Sequence, residues 1–390
     1  MRTVAACASA VVILFGGASH AAGPRIPPVP ESARTEAQRA LAAQFASAGM
    51  PNAVATYLNH PLLAEHILPN ERYVSTASTL PPRDRALLNL RTAWLTRSNY
   101  LWSHHAAAAR QAGLTGDELT RIAQGPGAKA WDAFDRTLLR TADELHVDSF
   151  ISDATWQALT ARYNIDQMVD AVYGVGDVTM HAGAINSLGV EIEKSFPDRL
   201  PAGVKYEVAA TRTNIRLLGK EPRIPPVPPD GTGRANGNVF RTFVRNPPAD
   251  RLRGAITGHI RNSTTLSPRQ RELLLMRIGA LCRSEYEWAA HWRAGKQTGI
   301  TEAEMERIAT GGTLSDPVDA ALLRATDELF QEDRVSDATW AALAKSLDTK
   351  QLLDVLIAVG GYRTASMGIN SAGVQLDANM ADFRFPSSLR

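Results

Sequence analysis

The sequence predicts an all-α protein made of two tandem copies of one helical module. The segment PRIPPVP at residues 24–30 recurs unchanged at residues 222–228, and a long internal repeat of this kind indicates a duplicated structural unit. Helix-start signals recur with it, and apolar residues follow a spacing of three and four rather than the strict alternation of a strand. Repetition and helical periodicity together therefore predict the fold class.

The duplication extends beyond this segment. Asn52 aligns with Asn238 and Pro61 with Pro247, and further on SDATW at 152–156 aligns with 336–340. Pro, Gly and Lys cluster between the copies, where no apolar periodicity persists. We therefore expect a first domain at 22–200, a linker at 201–217 and a second domain at 218–390.

Residues 1–21 have the features of a secretory signal peptide: Arg2 in a short basic start, an apolar run, and small residues ending at Ala21. We expect cleavage near Ala21 and a periplasmic or secreted mature chain, with no later apolar run long enough to span a membrane. Since Cys7 would leave with the signal, Cys282 remains alone and no intramolecular disulfide can form.

Capping boxes mark the predicted starts of helices in both copies. Thr115 with Glu118, Thr301 with Glu304 and Ser267 with Gln270 place a hydroxyl three residues before a Glu or Gln, which is typical of helix N-termini. Residues 87–95 and 273–281 carry apolar side chains at three and four spacing, so we expect both to be core helices.

Composition excludes several classes of partner. The chain has 42 Lys and Arg against 40 Asp and Glu, so it lacks the basic excess that attracts nucleic acid or an anionic membrane. His104 and His105 are adjacent and face different sides of a helix, and no His-x-x-x-His motif occurs, so no metal site is predicted. Gly174, Gly176 and Gly360–Gly361 fit close helix packing better than a phosphate loop, because no strand precedes them. A small-molecule substrate is the favoured partner.

The two copies agree best where LRTAWLTRSNYLWSHH (90–105) aligns with MRIGALCRSEYEWAAH (276–291). A repeated core needs its apolar positions kept, but it does not need so many polar ones. The shared polar and aromatic pairs are Arg91/Arg277, Arg97/Arg283, Ser98/Ser284, Tyr100/Tyr286, Trp102/Trp288 and His105/His291.

In the second copy, Glu287 and His291 are four residues apart and therefore lie on one face of a helix. The carboxylate would hold the imidazole in one tautomer and raise its pKa, as acid/base chemistry requires. Glu272 would reach the same place only if its helix packs alongside. A buried structural histidine at 291, or a structural Arg277–Glu272 ion pair, is the plainer alternative.

The pattern of Glu272, Arg277, Ser284–Glu287, His291 and Gly299 resembles the carboxymuconolactone decarboxylase family, which includes the alkylhydroperoxidase D branch. The resemblance covers both copies and implies a helical module that forms symmetric homo-oligomers, with sites between helices. The peroxidase branch uses a Cys-x-x-Cys pair ending four residues before the histidine, where this chain has Ser284 and Glu287. The resemblance therefore disfavours thiol peroxidase chemistry.

The resemblance to the decarboxylase branch implies a lyase that needs no cofactor, acting on a small carboxylated, unsaturated or aromatic-derived compound. His291 would protonate the carbon left behind, Glu287 would orient it and Glu272 would assist. The residues expected to bind substrate are Arg277 or Arg283 at its carboxylate, and Ser284, Tyr286, Trp288 and Trp292 around it.

The first copy departs from the pattern, since Ala86 and Leu101 replace the two glutamates. We interpret it as degenerate, although its own activity through His104, His105 or His181 stays open. Two other functions stay open for the whole chain. One is a non-enzymatic ligand-binding or assembly scaffold, and the other is peroxide reduction through Cys282 with an external thiol.

Overall fold

A computed structural model describes residues 23–45, 51–206, 208, 221–229, 237–380, 383 and 386. These residues form 17 α-helices and no strand, which confirms the predicted all-α class. The predicted signal peptide lies outside the described residues, as does most of the predicted linker.

Nine helices belong to the first copy. They are α1 (Glu36–Gln44), α2 (Pro51–Tyr57), α3 (Pro61–Arg72), α4 (Pro82–Leu95), α5 (Asn99–Gln111), α6 (Gly116–Gln124), α7 (Ala133–Asp148), α8 (Asp153–Thr160) and α9 (Ile165–Leu188). A π-helical turn, Tyr73–Ala77, extends α3.

Eight helices belong to the second copy. They are α10 (Asn238–Phe243), α11 (Pro247–Asn262), α12 (Pro268–Leu281), α13 (Glu285–Gln297), α14 (Glu302–Thr310), α15 (Pro317–Glu332), α16 (Asp337–Leu343) and α17 (Thr349–Ala372). Short 3₁₀ turns lie at Glu31–Ala33 and Ala378–Met380.

The three predicted capping boxes are present at the starts of α6, α12 and α14, where each hydroxyl accepts from the third backbone N–H of its helix. The predicted core helices are also confirmed. Helices α4 and α12 are buried on nearly all sides, because α5, α7 and α9 surround α4 while α13, α15 and α17 surround α12.

The two copies join through the long helices α9 and α17, which make the most extensive interhelical contact. Glycines permit this approach: a Cβ at Gly360 would lie 2.6 Å from Met180 Cγ, and one at Gly176 would collide with Thr364. The close packing predicted for these glycines is therefore confirmed. By length and composition α17 would suit a membrane span, but 94% of its apolar window is buried inside the protein, as in a core helix.

The repeated PRIPPVP segments contact both copies. Arg25 donates to the carbonyls of Ser187 (2.9 Å) and Val335 (2.8 Å), and it pairs with Asp337. Arg223 does the reverse, bonding the carbonyl of Ile151 (2.6 Å) and pairing with Asp153 in the first copy. Each segment thus connects its own copy to the other one.

Candidate active site in the second copy

A cavity of about 400 Å³ lies in the second copy between α11, α12 and α13, with Tyr362 of α17 on its inner side. All three residues that the sequence proposed as acid/base groups, Glu272, Glu287 and His291, line it. Helices α12 and α13 pack side by side, which brings Glu272 to the other two. Gly279 permits the approach, since a Cβ there would lie 3.4 Å from Glu287 Cβ.

His291 lies between the two carboxylates. Its Nδ1 is 2.7 Å from Glu272 Oε2, a hydrogen bond, and its Nε2 is 3.6 Å from Glu287 Oε2, an ion-pair distance. The side chain of His291 is 10% exposed and that of Glu272 only 2%. This geometry places one imidazole, held from both sides, at the wall of an accessible cavity.

The electrostatics favour a charged pair. Burial alone would lower the pKa of His291, but the contacts with Glu272 and Glu287 outweigh it and raise that pKa to about 9. Burial likewise opposes ionisation of Glu272, and the bonds to His291 and Arg271 lower its pKa overall. At neutral pH the site therefore holds an imidazolium, which can donate a proton.

The aromatic side chains that line the cavity are Phe240, Tyr286 and Tyr362, so the expected Tyr286 is among them and the two expected tryptophans are not. Tyr286 donates to Asp377 Oδ2 at 2.7 Å, and the Tyr362 ring lies edge-on to His291 with centroids 5.0 Å apart. Trp288 is buried in a separate apolar cluster, and Trp292 lines a different pocket, with Lys296 Nζ 4.0 Å from its ring centre. The expected contacts of Trp288 and Trp292 with substrate thus do not fit their positions.

Arg277 also lies away from the cavity. Its Nε donates to Asp327 at 2.6 Å, and its Nη1 donates to the carbonyls of Ile308 and Ala309 at 2.8 and 3.0 Å. These bonds tie α12 to α14 and α15, so the expected carboxylate-binding role of Arg277 is replaced by a structural one. The alternative pairing with Glu272 is not formed either.

Arg283 and Ser284 form the turn between α12 and α13. Arg283 has a left-handed backbone (φ 49°), and Ser284 is fully buried at the start of α13. Neither lines the cavity, because the turn lies beyond the ends of the two helices. They are not placed to contact a ligand there.

A residue that sequence reasoning missed, Arg253 on α11, lines the cavity instead. It is 7% exposed, and its guanidinium lies over the rings of Tyr173 and Phe243. The nearest carboxylate oxygen, on Asp250, is 4.0 Å away, and Nε has no hydrogen-bond partner among the described residues. A comparison of the two copies could have identified Arg253, because the residue aligned with it in the first copy is the apolar Ile67.

Two further arginines line the same cavity. Arg271 donates to Glu272 at 2.9 Å and to the carbonyl of Arg261 at 2.9 Å, while Arg261 is exposed. With Arg253 they bring three guanidinium groups to a cavity that also contains the carboxylates of Glu272, Glu287 and Asp377, and a guanidinium suits a carboxylated ligand.

The first copy has filled the corresponding space. His104, aligned with Ala290, has its Nε2 2.7 Å from Glu193 Oε2. Its ring contacts Phe196 and Tyr100, with centroids 4.0 and 4.5 Å apart. Phe196 aligns in turn with Met380 of the second copy. Larger side chains thus occupy the volume that the second copy leaves open.

His105 of the first copy is buried without a carboxylate. Burial, followed by the neighbouring His104 and His181, lowers the pKa of His105 to about 3, so it stays neutral. His181 is likewise buried, with Nδ1 3.0 Å from the Tyr57 hydroxyl, and burial lowers its pKa to about 4. These histidines lack the charged form that a proton donor needs at neutral pH.

The other first-copy equivalents have structural contacts. Arg91 pairs with Asp143 (2.6 Å) in the interior, just as Arg277 pairs with Asp327. Ser98 accepts from the backbone of Leu101, Tyr100 donates to Glu193 at 2.8 Å, and Trp102 is 1% exposed.

Cys282 directly follows α12, and its side chain faces the interior. Its thiol is buried and accepts from Ser149 Oγ at 3.4 Å. Burial raises its pKa, and the nucleophilic thiolate is therefore scarce. The position does not suit a peroxidatic cysteine.

Comparison with known proteins supports the two-copy organisation. The model of the Carboxymuconolactone decarboxylase family matches the chain twice, at residues 62–141 and 247–328. The two matched segments correspond to α3–α7 and α11–α15, one in each copy. No curated protein and no solved structure matches the chain.

Proposed function

Because the chain contains two tandem copies of the carboxymuconolactone decarboxylase domain, we propose that it is a lyase whose single working site is the cavity of the second copy. The substrate is a small carboxylated compound with an unsaturated or aromatic-derived skeleton, and no cofactor is required. We also propose that the mature chain acts outside the cytoplasm as a homo-oligomer.

The observation that carries this proposal is the Glu272–His291–Glu287 arrangement in a cavity lined by Arg253. A buried imidazolium flanked by two carboxylates is a proton donor held in one orientation. A buried guanidinium with unused hydrogen-bonding capacity is a carboxylate receptor. The two functions occur in the same cavity, as decarboxylation followed by protonation requires.

The proposed step breaks the bond between carbon and a carboxylate group and releases carbon dioxide. The electron pair stays on the carbon and is delocalised into a conjugated carbonyl of the substrate, which is why an unsaturated skeleton is needed. His291 then delivers its proton to that carbon, and solvent restores the proton to the imidazole. Atoms and charge balance without an external oxidant or reductant.

Each remaining residue has a defined part in this step. Glu272 and Glu287 hold His291 in its charged form and fix its ring. Arg253 anchors a second carboxylate, one that is retained in the product, because a guanidinium bound to the departing carboxylate would stabilise its charge before reaction and so oppose the loss of carbon dioxide. Tyr286 and Tyr362 supply flat surfaces for the unsaturated skeleton.

The rival scaffold function is less well supported. A scaffold gains nothing from two buried carboxylates around a histidine, an arrangement that is costly to desolvate. The substitutions that distinguish the copies also coincide with the cavity. Peroxide reduction through Cys282 is opposed by the burial and raised pKa of that thiol.

The test is a screen of the purified chain from residue 22 onward against carboxylated lactones and aromatic-derived unsaturated acids, with carbon dioxide release as the readout. Glu287→Gln and His291→Ala serve as variants. We expect release from at least one substrate and its loss in both folded variants. Turnover at the wild-type rate by folded His291→Ala would refute the proposal, and binding without release by wild type would favour the scaffold.

A further inference from the structure

A second cluster of polar side chains lies apart from the proposed active site and joins the two copies. It consists of His60 at the start of α3, His259 on α11 and Asp354 on α17. His259 Nε2 is 2.8 Å from Asp354 Oδ1, and His60 Nε2 is 3.4 Å from Asp354 Oδ2. All three residues are at least 97% buried.

Most of the hydrogen bonds that hold Asp354 end on one of its oxygens, Oδ2. Its Oδ2 accepts from Thr264 Oγ1 (3.0 Å) and from the backbone N–H and hydroxyl of Thr265 (2.6 and 2.7 Å). Its Oδ1 accepts only from His259 among the hydrogen bonds of the described residues. The carboxylate is thus fixed in orientation, with Oδ1 directed at His259 and Oδ2 also 3.4 Å from His60 Nε2.

The first copy shows which part of this arrangement the fold requires. There Asp170 aligns with Asp354, and its Oδ2 accepts from the backbone and hydroxyl of Thr79 in the same manner (2.6 and 2.7 Å). Tyr73 takes the place of His259 and donates to Asp170. Asn246 of the second copy takes the place of His60 and donates at 2.9 Å.

This comparison separates two roles. The aspartate and its threonine partners recur, so they stabilise the loop before α4 or α12. Tyr and Asn satisfy the aspartate fully in the first copy, so two histidines are not needed for that purpose. Compared with the site around Asp170, the site around Asp354 has two histidine ring nitrogens beside its carboxylate. These three groups are a donor set for a metal ion.

We propose that His60, His259 and Asp354 bind one divalent transition-metal ion of the zinc type, which links the first copy to the second. The three ligand atoms lie within 4.8 Å of one another. Metal–nitrogen bonds of about 2.0–2.1 Å in a tetrahedral site would bring them to roughly 3.4 Å apart, so a small inward movement suffices. His66 lies half-buried beside His259, with ring centroids 5.4 Å apart.

Zinc binding to the chelator-treated full mature chain tests this. After incubation with zinc chloride and desalting, we expect about one zinc per chain by elemental analysis, and a higher melting temperature with zinc than with chelator. The double variant His60→Asn, His259→Tyr copies the residues of the first copy and should retain neither zinc nor the shift. His291→Ala should keep both, which separates this site from the proposed active site.

If the double variant does not fold, the zinc content of the wild type still tests the proposal. Zinc content at background in wild type would overturn it. Equal zinc content in wild type and a folded double variant would also overturn it by placing the metal elsewhere. Cobalt provides a further readout, since a site with two imidazoles and one carboxylate should give visible absorption that the double variant lacks.

Discussion

The two copies share a helical framework but differ in what faces the interior between α12 and α13 and between their counterparts, α4 and α5. In the second copy, Glu272 and Glu287 hold His291 charged at a cavity wall. In the first copy, Ala86 and Leu101 leave His105 neutral and buried. The same histidine in the same fold thus has pKa values near 9 and near 3, so its carboxylate neighbours decide its chemistry.

The comparison also separates structure from function among shared residues. Arg91 and Arg277 make matching bonds to an aspartate and to two helix-end carbonyls. Their recurrence reflects a structural need of both copies. Residues that differ, such as Arg253 against Ile67, mark the site instead. Among the shared polar and aromatic pairs, only Tyr286 and His291 of the second copy line the cavity, so recurrence in both copies is by itself a poor guide to substrate binding.

The largest effect is expected from His291→Ala. Removing a general acid typically lowers the rate by about 100- to 10,000-fold, and we expect such a loss in kcat for carbon dioxide release. His105→Ala is the matched control and should leave kcat unchanged, because His105 is neutral and enclosed. Equal losses in both variants would show that the copies act together and would remove the asymmetry proposed above.

Arg91→Ala should cost more stability than Arg277→Ala. The Arg91–Asp143 pair is fully buried, whereas the side chains of Arg277 and Asp327 are 8% and 28% exposed. Breaking a buried pair leaves an uncompensated charge and costs about 3–5 kcal/mol, while the Arg277–Asp327 pair, which is partly exposed on the aspartate side, should cost less. Urea unfolding of both variants measures this, and the reverse order would contradict the structural reading of the pair.

Arg253→Ile places the first-copy residue in the second copy. Losing charge-assisted hydrogen bonds to a carboxylate should lower kcat/KM by about 10- to 100-fold, chiefly through KM. Arg283→Asn is the control, because Arg283 lies outside the cavity and Asn tolerates the left-handed backbone at this position, so kcat/KM should stay nearly intact. If the Arg283 variant loses more than the Arg253 variant, the carboxylate binds elsewhere.

The pH profile should reflect the raised pKa of His291. The proton donor is present below about pH 9 and is lost above it, so kcat should fall as the pH rises through that value. Glu272→Gln removes a carboxylate that raises this pKa, and the alkaline limb should move to lower pH. Glu306→Gln, at an exposed position, should not move it; an unmoved limb in the Glu272 variant would exclude His291 as the titrating group.

The same raised pKa affects stability with a definite sign. Because the folded pKa lies above the unfolded value near 6.5, protonated His291 stabilises the fold at low pH, and this contribution is lost as the pH rises towards 9. The difference in unfolding free energy between wild type and His291→Gln should therefore shrink over that interval.

The smallest effect is expected from Cys282→Ser. The thiol is buried and faces Ser149, away from the cavity residues, so carbon dioxide release should continue at nearly the wild-type rate. A colorimetric peroxide assay with an external thiol should show no activity dependent on Cys282. If the wild type consumed peroxide and this variant did not, peroxide reduction through Cys282 would be supported instead.

The sequence by itself determined the helical class, the duplication, the capping boxes and the two core helices, because these depend on local periodicity and short-range hydrogen bonds. It also singled out Glu272, Glu287 and His291, since a direct alignment shows the histidine in both copies and the two carboxylates only in the second. The signal peptide, the domain limits and the oligomer stay predictions. The resemblance to the family followed from the spacing of a few residues within one helical hairpin, and the family model matches a segment of each copy.

Only the tertiary structure decided which side chains meet. Arg253, 38 residues before His291, enters the cavity because α11 packs over α17, and no local pattern reports that contact. The sequence predicted that Arg277 binds substrate, whereas in the structure its side chain bonds to residues of α14 and α15. The cluster of His60, His259 and Asp354 is assembled from three distant segments, whereas metal motifs in sequence depend on close spacing. Side-chain convergence across helices is set by packing, and packing is not encoded in any single stretch of the chain.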